Sequence, residues 1–272
     1  MPRTACLWIV LMLLAALIGP WLSPYSFHGQ NLREANRPPS LKHLLGTDHL
    51  GRDLATRILY GARLSLGIAI FSTLINLTIG IIYGAAAGYW GGWIDRLLMG
   101  FVEILYALPP LLYIILLMVW RGPGFTNVLF AIGLTCWLQM ARVVRGQIMA
   151  LKERDFILAA KVIGLGWWPI LWRHLLPNCT GPIIVTAVLN IPLAIYLEAF
   201  LSFIGLGVAP PQASWGVLVA DGLSGLRSYP WQLIFPALAM SLTILAFNRL
   251  AQYLRDYFHP RSGQYYQPRR EC

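Results

Sequence analysis

Apolar residues gather in six long blocks, at positions 4–22, 64–89, 97–120, 127–148, 181–203 and 231–253, with shorter polar stretches between them. A helix needs about 20 apolar residues to cross a bilayer, so each block predicts one membrane-spanning helix. The predicted fold class is therefore all-α, a polytopic membrane protein. The first block follows Arg3 as a signal peptide would, but it runs on to Leu22. No small-residue cleavage pattern precedes Ser23 and Pro24, so the block reads as a retained span. The chain divides accordingly into a first span (1–22), a loop segment (23–63), a core of five spans (64–258) and a polar tail (259–272).

One polar, basic segment breaks this rhythm. Between the fourth and fifth spans, residues 155–166 read Asp-Phe-Ile-Leu-Ala-Ala-Lys-Val-Ile-Gly-Leu-Gly, and Leu176, Pro177 and Asn178 follow. Ala159 and Ala160 give a short helix a small-residue face that another surface can approach closely, and Gly164 allows a sharp turn after it. The spacing predicts a docking helix at about 155–165, on which a motor subunit pushes.

Composition sharpens the class. Only 12% of the 272 residues are charged and 57% are hydrophobic, against roughly 25% charged in soluble domains. The net charge of +10 is placed at span ends, where it faces anionic lipid rather than nucleic acid. With six spans, thirteen Lys and Arg fall on the side of the termini and eight on the other. The majority marks the cytoplasm, so both termini and the 142–173 loop are expected inside. Cys6, Cys136, Cys179 and Cys272 form no paired motif, so neither a disulfide framework nor a metal site is expected.

The outside loop carries Leu-Gly-Thr-Asp-His-Leu-Gly-Arg-Asp over residues 45–53. Asp48 is expected to cap a short helix, Gly51 to permit a tight turn, and Arg52 to pair with Asp53. His49 beside two aspartates puts no two ligands on one helical face, which favours a structural turn over metal. Within the spans, Glu103 and Glu198 are the ionisable candidates for a translocation path. Each is either a path-lining group or a buried carboxylate bonded to a neighbouring hydroxyl or amide. Pro109 and Pro110 interrupt the backbone ladder as a hinge or a kink. Gly80, Gly84 and Gly88 share one helix face suited to close packing in lipid. Tryptophans and tyrosines at span ends, among them Trp90, Trp167 and Trp168, read as interfacial anchors.

Taken together these stretches resemble the inner-membrane permease subunits of ABC importers, specifically the dipeptide/oligopeptide/nickel group. The resemblance rests on the 45–53 segment and on Leu158-Ala159-Ala160 with Gly164 and Leu176-Pro177. It rests also on the run from Leu201 to Pro211 with Ser214-Trp215-Gly216, on residues 246–250 and 254–256, and on Pro260-Arg261. Two positions depart from the pattern. Leu158 stands where the family carries glutamate, and His174 where it carries isoleucine, so Arg154 and Asp155 are the nearby groups able to supply charge.

The resemblance implies a type I importer permease fold in the cytoplasmic membrane of a bacterium or archaeon. It implies half of a translocation pathway for dipeptides or oligopeptides, with nickel or a metal chelate as the alternative cargo. A channel or secondary transporter, the alternative of another class, has no use for the docking helix. The implied contacts to the ATP-binding subunits are Arg154, Asp155, Leu158, Ala159, Ala160, Gly164 and Pro177; Glu103, Pro109 and Glu198 are the path candidates. Asp48, Gly51, Arg52 and Asp53 form the extracytoplasmic motif. None of the three lysines ends a Gly-Lys-Ser/Thr loop, so this chain is expected to bind no cofactor and to be no enzyme. ATP and magnesium belong to two partner subunits. A homologous second permease and an extracytoplasmic binding protein complete the implied assembly.

Overall fold

A computed structural model describes residues 2–258; Pro260, Arg261 and the rest of the 259–272 tail lie outside the described residues. The helices are α1 (Pro2–Leu22), α2 (Leu54–Trp90), α3 (Gly92–Ala107), α4 (Pro110–Arg121), α5 (Phe125–Lys152) and α6 (Asp155–Val162). Then follow α7 (Trp167–Pro169), a π-helical turn (Ile170–Leu175), α8 (Leu176–Asn178), α9 (Thr180–Phe203), α10 (Trp215–Ser224) and α11 (Trp231–Phe258). Among the described residues there is no β-strand, only an isolated bridge between Thr47 and Asp53. Five helices (α1, α2, α5, α9 and α11) are long and apolar enough to cross a membrane, and α3 with α4 makes a sixth crossing if the bent pair counts as one.

The span expected at 97–120 is broken where the hinge or kink was expected, at Pro109 and Pro110. The two helices meet at 82°. Pro109 and Pro110 offer no N–H, and the residue before a proline is driven out of the helical region. Leu108 is accordingly extended, at φ −89° and ψ 139°, and Pro110 opens α4, where its missing donor leaves no gap.

A correction concerns the start of α2. Residues 54–63, read as the end of a loop, are its first turns. Asp53, not Asp48, is the cap: its carboxylate accepts the Thr56 N–H at 2.8 Å and the Thr56 hydroxyl at 2.7 Å. A helix of 37 residues is about 55 Å long, well beyond the ~30 Å hydrocarbon layer. Part of it must therefore extend past the hydrocarbon layer.

The core is built on the close approach of α2 and α5. Gly80, Gly84 and Gly88 face Met140, Ala141, Val144, Arg145 and Ile148, so near that a Cβ on Gly88 would lie 2.9 Å from the Arg145 carbonyl oxygen. This is the small-residue packing of membrane helices. The bundle's two ends are differently furnished. At one end the 23–53 loop meets α10 and the start of α11: Gln232 donates to Asn36 Oδ1 and to the Thr47 carbonyl, each at 2.9 Å. At the other end, Arg145 of α5 forks Asp95 of α3 at 2.5 and 2.6 Å, and Lys152 donates to the Tyr89 carbonyl. Helix α6 lies at this second end.

Candidate functional site

Helix α6 begins where α5 runs out, after Glu153 and Arg154, and its sequence splits it into two faces. Ile157 is fully buried and Ala160 nearly so. They join Met140, Val144 and Ile148 of α5, Ala85 of α2, Leu175 of the π-helical turn and Ile183 of α9 in one apolar cluster. Burying an isoleucine stabilises by about 1.5–3 kcal/mol. Movement of α6 therefore presses on α5 and on the π-helical turn, and through their shared cluster reaches α2 and α9. The other face is open: Asp155, Phe156, Leu158, Ala159, Lys161, Val162 and Ile163 are exposed, the last two at 88% and 78%.

Gly164 ends the helix in a Schellman cap. Its φ is +86°, its N–H donates to the Lys161 carbonyl at 3.0 Å, and the Leu165 N–H reaches the Ala160 carbonyl at 3.1 Å. The same Ile-Gly-Leu-Gly sequence recurs at 204–207. There it closes α9 identically, with Gly205 N–H on Ser202 and Leu206 N–H on Leu201. Arg154, at the N-cap of α6, makes no capping bond and stays exposed, as does Pro177 on α8. Ala160 is the one member of the expected contact set that faces inward.

At the opposite end, residues 45–53 fold around two buried carboxylates. Asp48 accepts the Leu50 and Arg52 N–H groups at 2.9 Å each and Arg52 Nε at 2.6 Å, and Arg57 Nη1 closes on its second oxygen. Arg52 thus pairs with Asp48, not with Asp53 as its position suggests. Asp53 instead takes His43 Nδ1 at 2.9 Å. Burial pushes the Asp48 carboxyl up, but Arg57 and Arg52 outweigh it and hold the group below the usual aspartate range. Asp221 of α10, 3.8 Å from Arg57, goes the other way: burial raises its pKa despite the nearby arginines. Gly51, at φ +72°, abuts the Asn31 backbone so tightly that no side chain fits. Among the described residues no group of three His, Cys, Asp or Glu is placed to hold a metal, and His49 is exposed.

Glu198 is fully buried and ties three helices together. Ser202 donates to Oε1 at 2.7 Å, Ser214 to Oε1 at 2.5 Å and Ser65 to Oε2 at 3.2 Å. Each of two serines also accepts a backbone donor of α10: Ser65 takes the Trp215 N–H at 3.0 Å and Ser214 the Val217 N–H at 3.2 Å. The carboxylate thus orients both hydroxyls toward the helix N-terminus, where acceptors are needed. Glu103 lies on the exposed face of α3 and Pro109 at the exposed bend, so the three path candidates are not brought together. Sequence reasoning missed Ser65, Arg57 and Asp221; it quoted Ser202 and Ser214 within a motif but did not foresee their bonds to Glu198. A serine in the apolar run of α2 was the available signal for Ser65; Arg57 and Asp221 carry none of their own.

Residues 76–264 match the family described as binding-protein-dependent transport system inner membrane component. Residues 4–39 match the N-terminal TM domain of oligopeptide transport permease C. The dipeptide transport system permease protein DppC of Bacillus subtilis is 49% identical, over 94% of this chain and 81% of that protein. The oligopeptide transport system permease protein OppC of the same organism is 43% identical, over 93% and 83%. A glutathione transport system permease protein, GsiD of Pectobacterium atrosepticum, is 39% identical over 94% and 86%. In fold the chain is similar to an amino acid ABC transporter crystallised with histidines, with a TM-score of 0.55 at 16% identity over 74% of this chain and 93% of that one. A methionine ABC transporter in inward-facing form gives the same TM-score over 70% and 93%. The five candidate spans with the bent pair between them, the exposed face of α6 and these matches lead to one conclusion: the chain belongs to the family of binding-protein-dependent transport system inner membrane components and is a multi-pass transport permease subunit.

Proposed function

We propose that this chain forms half of the translocation pathway of an ATP-driven importer of small peptides. One observation carries the cargo: relatives that align over more than nine-tenths of this chain are named for dipeptides, oligopeptides and glutathione, all peptides. A second permease, two ATP-binding subunits and an extracytoplasmic binding protein complete the machine. Both termini lie in the cytoplasm. ATP and magnesium act on the partner subunits, and this chain catalyses no chemical step.

Coupling runs through α6. The exposed residues Arg154, Asp155, Leu158, Ala159 and Gly164, with Pro177, meet the ATP-binding subunit, while Ile157 and Ala160 carry the displacement into α2, α5 and α9. A rigid helix seated in a close-packed cluster transmits a push without absorbing it, and the spans alternate between outward- and inward-open arrangements. Glu103 and Pro109 lie on the surface offered to the pathway. Glu198 keeps the α10 end in register, a positioning role that its burial favours over substrate contact.

The test is uptake by the whole transporter in proteoliposomes with its binding protein outside and ATP inside. Labelled dipeptide should accumulate only with ATP and binding protein together. Nickel uptake without peptide uptake would overturn the cargo; peptide uptake unaffected by omitting ATP would overturn the class.

A further inference from the structure

A groove of about 390 Å³ lies between the last turns of α2 and the segment from Trp167 to Leu176 that follows α6. Ile81, Ala85 and Ala86 form its floor, and Trp168, Leu171 and Trp172 its wall. At its end four tryptophans form a continuous chain. Trp90 and Trp167 are 5.8 Å apart, Trp167 and Trp168 5.2 Å, and Trp168 and Trp172 5.3 Å. All four are exposed. Tryptophan in such a belt sits at the level of lipid headgroups.

The rim is cationic. Lys152 donates one of its three protons to the carbonyl of Tyr89, a groove residue, at 2.9 Å. Its other protons have no partner among the hydrogen bonds of the described residues. Arg173 follows Trp172 in the chain and is exposed. Across residues 150–175 four cations stand against two carboxylates, Glu153 and Asp155. An apolar slot on a membrane span, ending in an aromatic belt beneath a cationic rim, complements one kind of occupant: a hydrocarbon chain carrying an anionic head.

We propose that this groove binds an anionic phospholipid of the surrounding leaflet, one acyl chain against Ala85 and Ala86 and the phosphate at Lys152. The wall of the groove is the chain segment that immediately follows α6. Bound lipid therefore braces the segment on which the proposed coupling helix is hinged. The site itself does not depend on what the transporter carries.

Lipids brominated on their acyl chains quench tryptophan on contact, and the assembled transporter in liposomes is the sample. Brominated phosphatidylglycerol should quench at several-fold lower mole fraction than brominated phosphatidylcholine. Lys152→Gln should cut that preference by about fivefold, the weight of one cation near an anionic headgroup. Ala86→Phe, which fills the slot, should remove the quenching of this cluster by both lipids. Trp168→Phe with Trp172→Phe marks which part of the signal is local. Equal quenching by the two lipids in the unmodified protein overturns the proposal, as does a preference untouched by Lys152→Gln. Absence of the local signal once the ATP-binding subunits are assembled also overturns it, since a protein then covers the groove.

Discussion

Replacing Gly84 by alanine tests whether the α2–α5 contact organises the bundle. In a free helix the change is favourable by about 0.8–1 kcal/mol, because alanine restricts the unfolded backbone. Here the new methyl would fall on the carbonyl oxygen of Ala141, 3.0 Å from its carbonyl carbon and 2.9 Å from Val144 Cβ. Two of those three atoms are backbone in the middle of α5, and they cannot rotate away. Overpacking of this kind costs typically 1–3 kcal/mol, and the upper half of that range applies because a whole helix must shift. The net loss is then about 1–2 kcal/mol, and larger for Gly84→Leu. Gly100→Ala in α3 is the control: nothing lies within 4 Å of the added methyl, so only the propensity gain remains. The two variants should differ by about 2–3 kcal/mol, or roughly 4–10 °C in Tm for a chain of this size, with Gly84→Ala below the parent and Gly100→Ala at or above it. Thermal unfolding in lipid nanodiscs reads the difference. A Gly84→Ala protein as stable as Gly100→Ala would show that the two helices are free to separate, and the close-packed core would have to be abandoned.

Three other perturbations follow from the same structure. Glu198→Leu removes the acceptor of three buried hydroxyls and should destabilise by about 3 kcal/mol or more, whereas Glu198→Gln keeps an acceptor and should lose less; equal unfolding midpoints for both variants would deny that the carboxylate organises Ser65, Ser202 and Ser214. Ile157→Ala should cost about 2–5 kcal/mol locally and, like Gly164→Leu at its positive φ, should leave ATP hydrolysis running without uptake; full transport by either variant argues against force entering through α6. The Asp48 carboxyl is held below its ordinary range, so its contribution to the loop is complete above the unfolded value near 3.9 and fades only as pH falls through the lower folded value. Hydrogen exchange of residues 46–54 should therefore stay slow at pH 5, and a midpoint of loosening above that pH would contradict the Arg52–Asp48–Arg57 geometry.

What the chain revealed in advance was whatever depends on neighbours in sequence. The apolar blocks gave the helices because length and hydropathy alone decide membrane crossing. The four-residue glycine spacing gave the packed face of α2, and Ala159, Ala160 and Gly164 gave α6 with its cap. The break at Pro109 was readable from the missing N–H, but not its 82° angle, which depends on how α4 seats against α5. The start of α2 was hidden because Arg57 looks like a loop residue until Asp48, nine positions earlier, neutralises it inside the bundle. Likewise Glu198 is the buried, hydroxyl-bonded carboxylate that was one of its two expected readings, but its partner Ser65 could not be named, since it stands 133 residues away.

The two ends of the bundle then differ in a way that bears on function. Around residues 45–57 nearly every buried charge has a partner within the chain: Asp48 with Arg52 and Arg57, and Asp53 with His43. Such a network is costly to break, because removing one partner strands the other away from water. It suits a part that must hold its shape. Around α6 the reverse holds: Val162 and Ile163 present apolar surface outward, and Arg154 and Asp155 remain exposed beside them. Exposed apolar surface rimmed by charge marks an interaction site, and the proposed function assigns this one to the ATP-binding subunit. The same helix is anchored from beneath by Ile157, so its outward face is unfinished while its inward face is complete. A single short element with those two faces is what a subunit needs if it is to be moved by a partner without being unfolded by it.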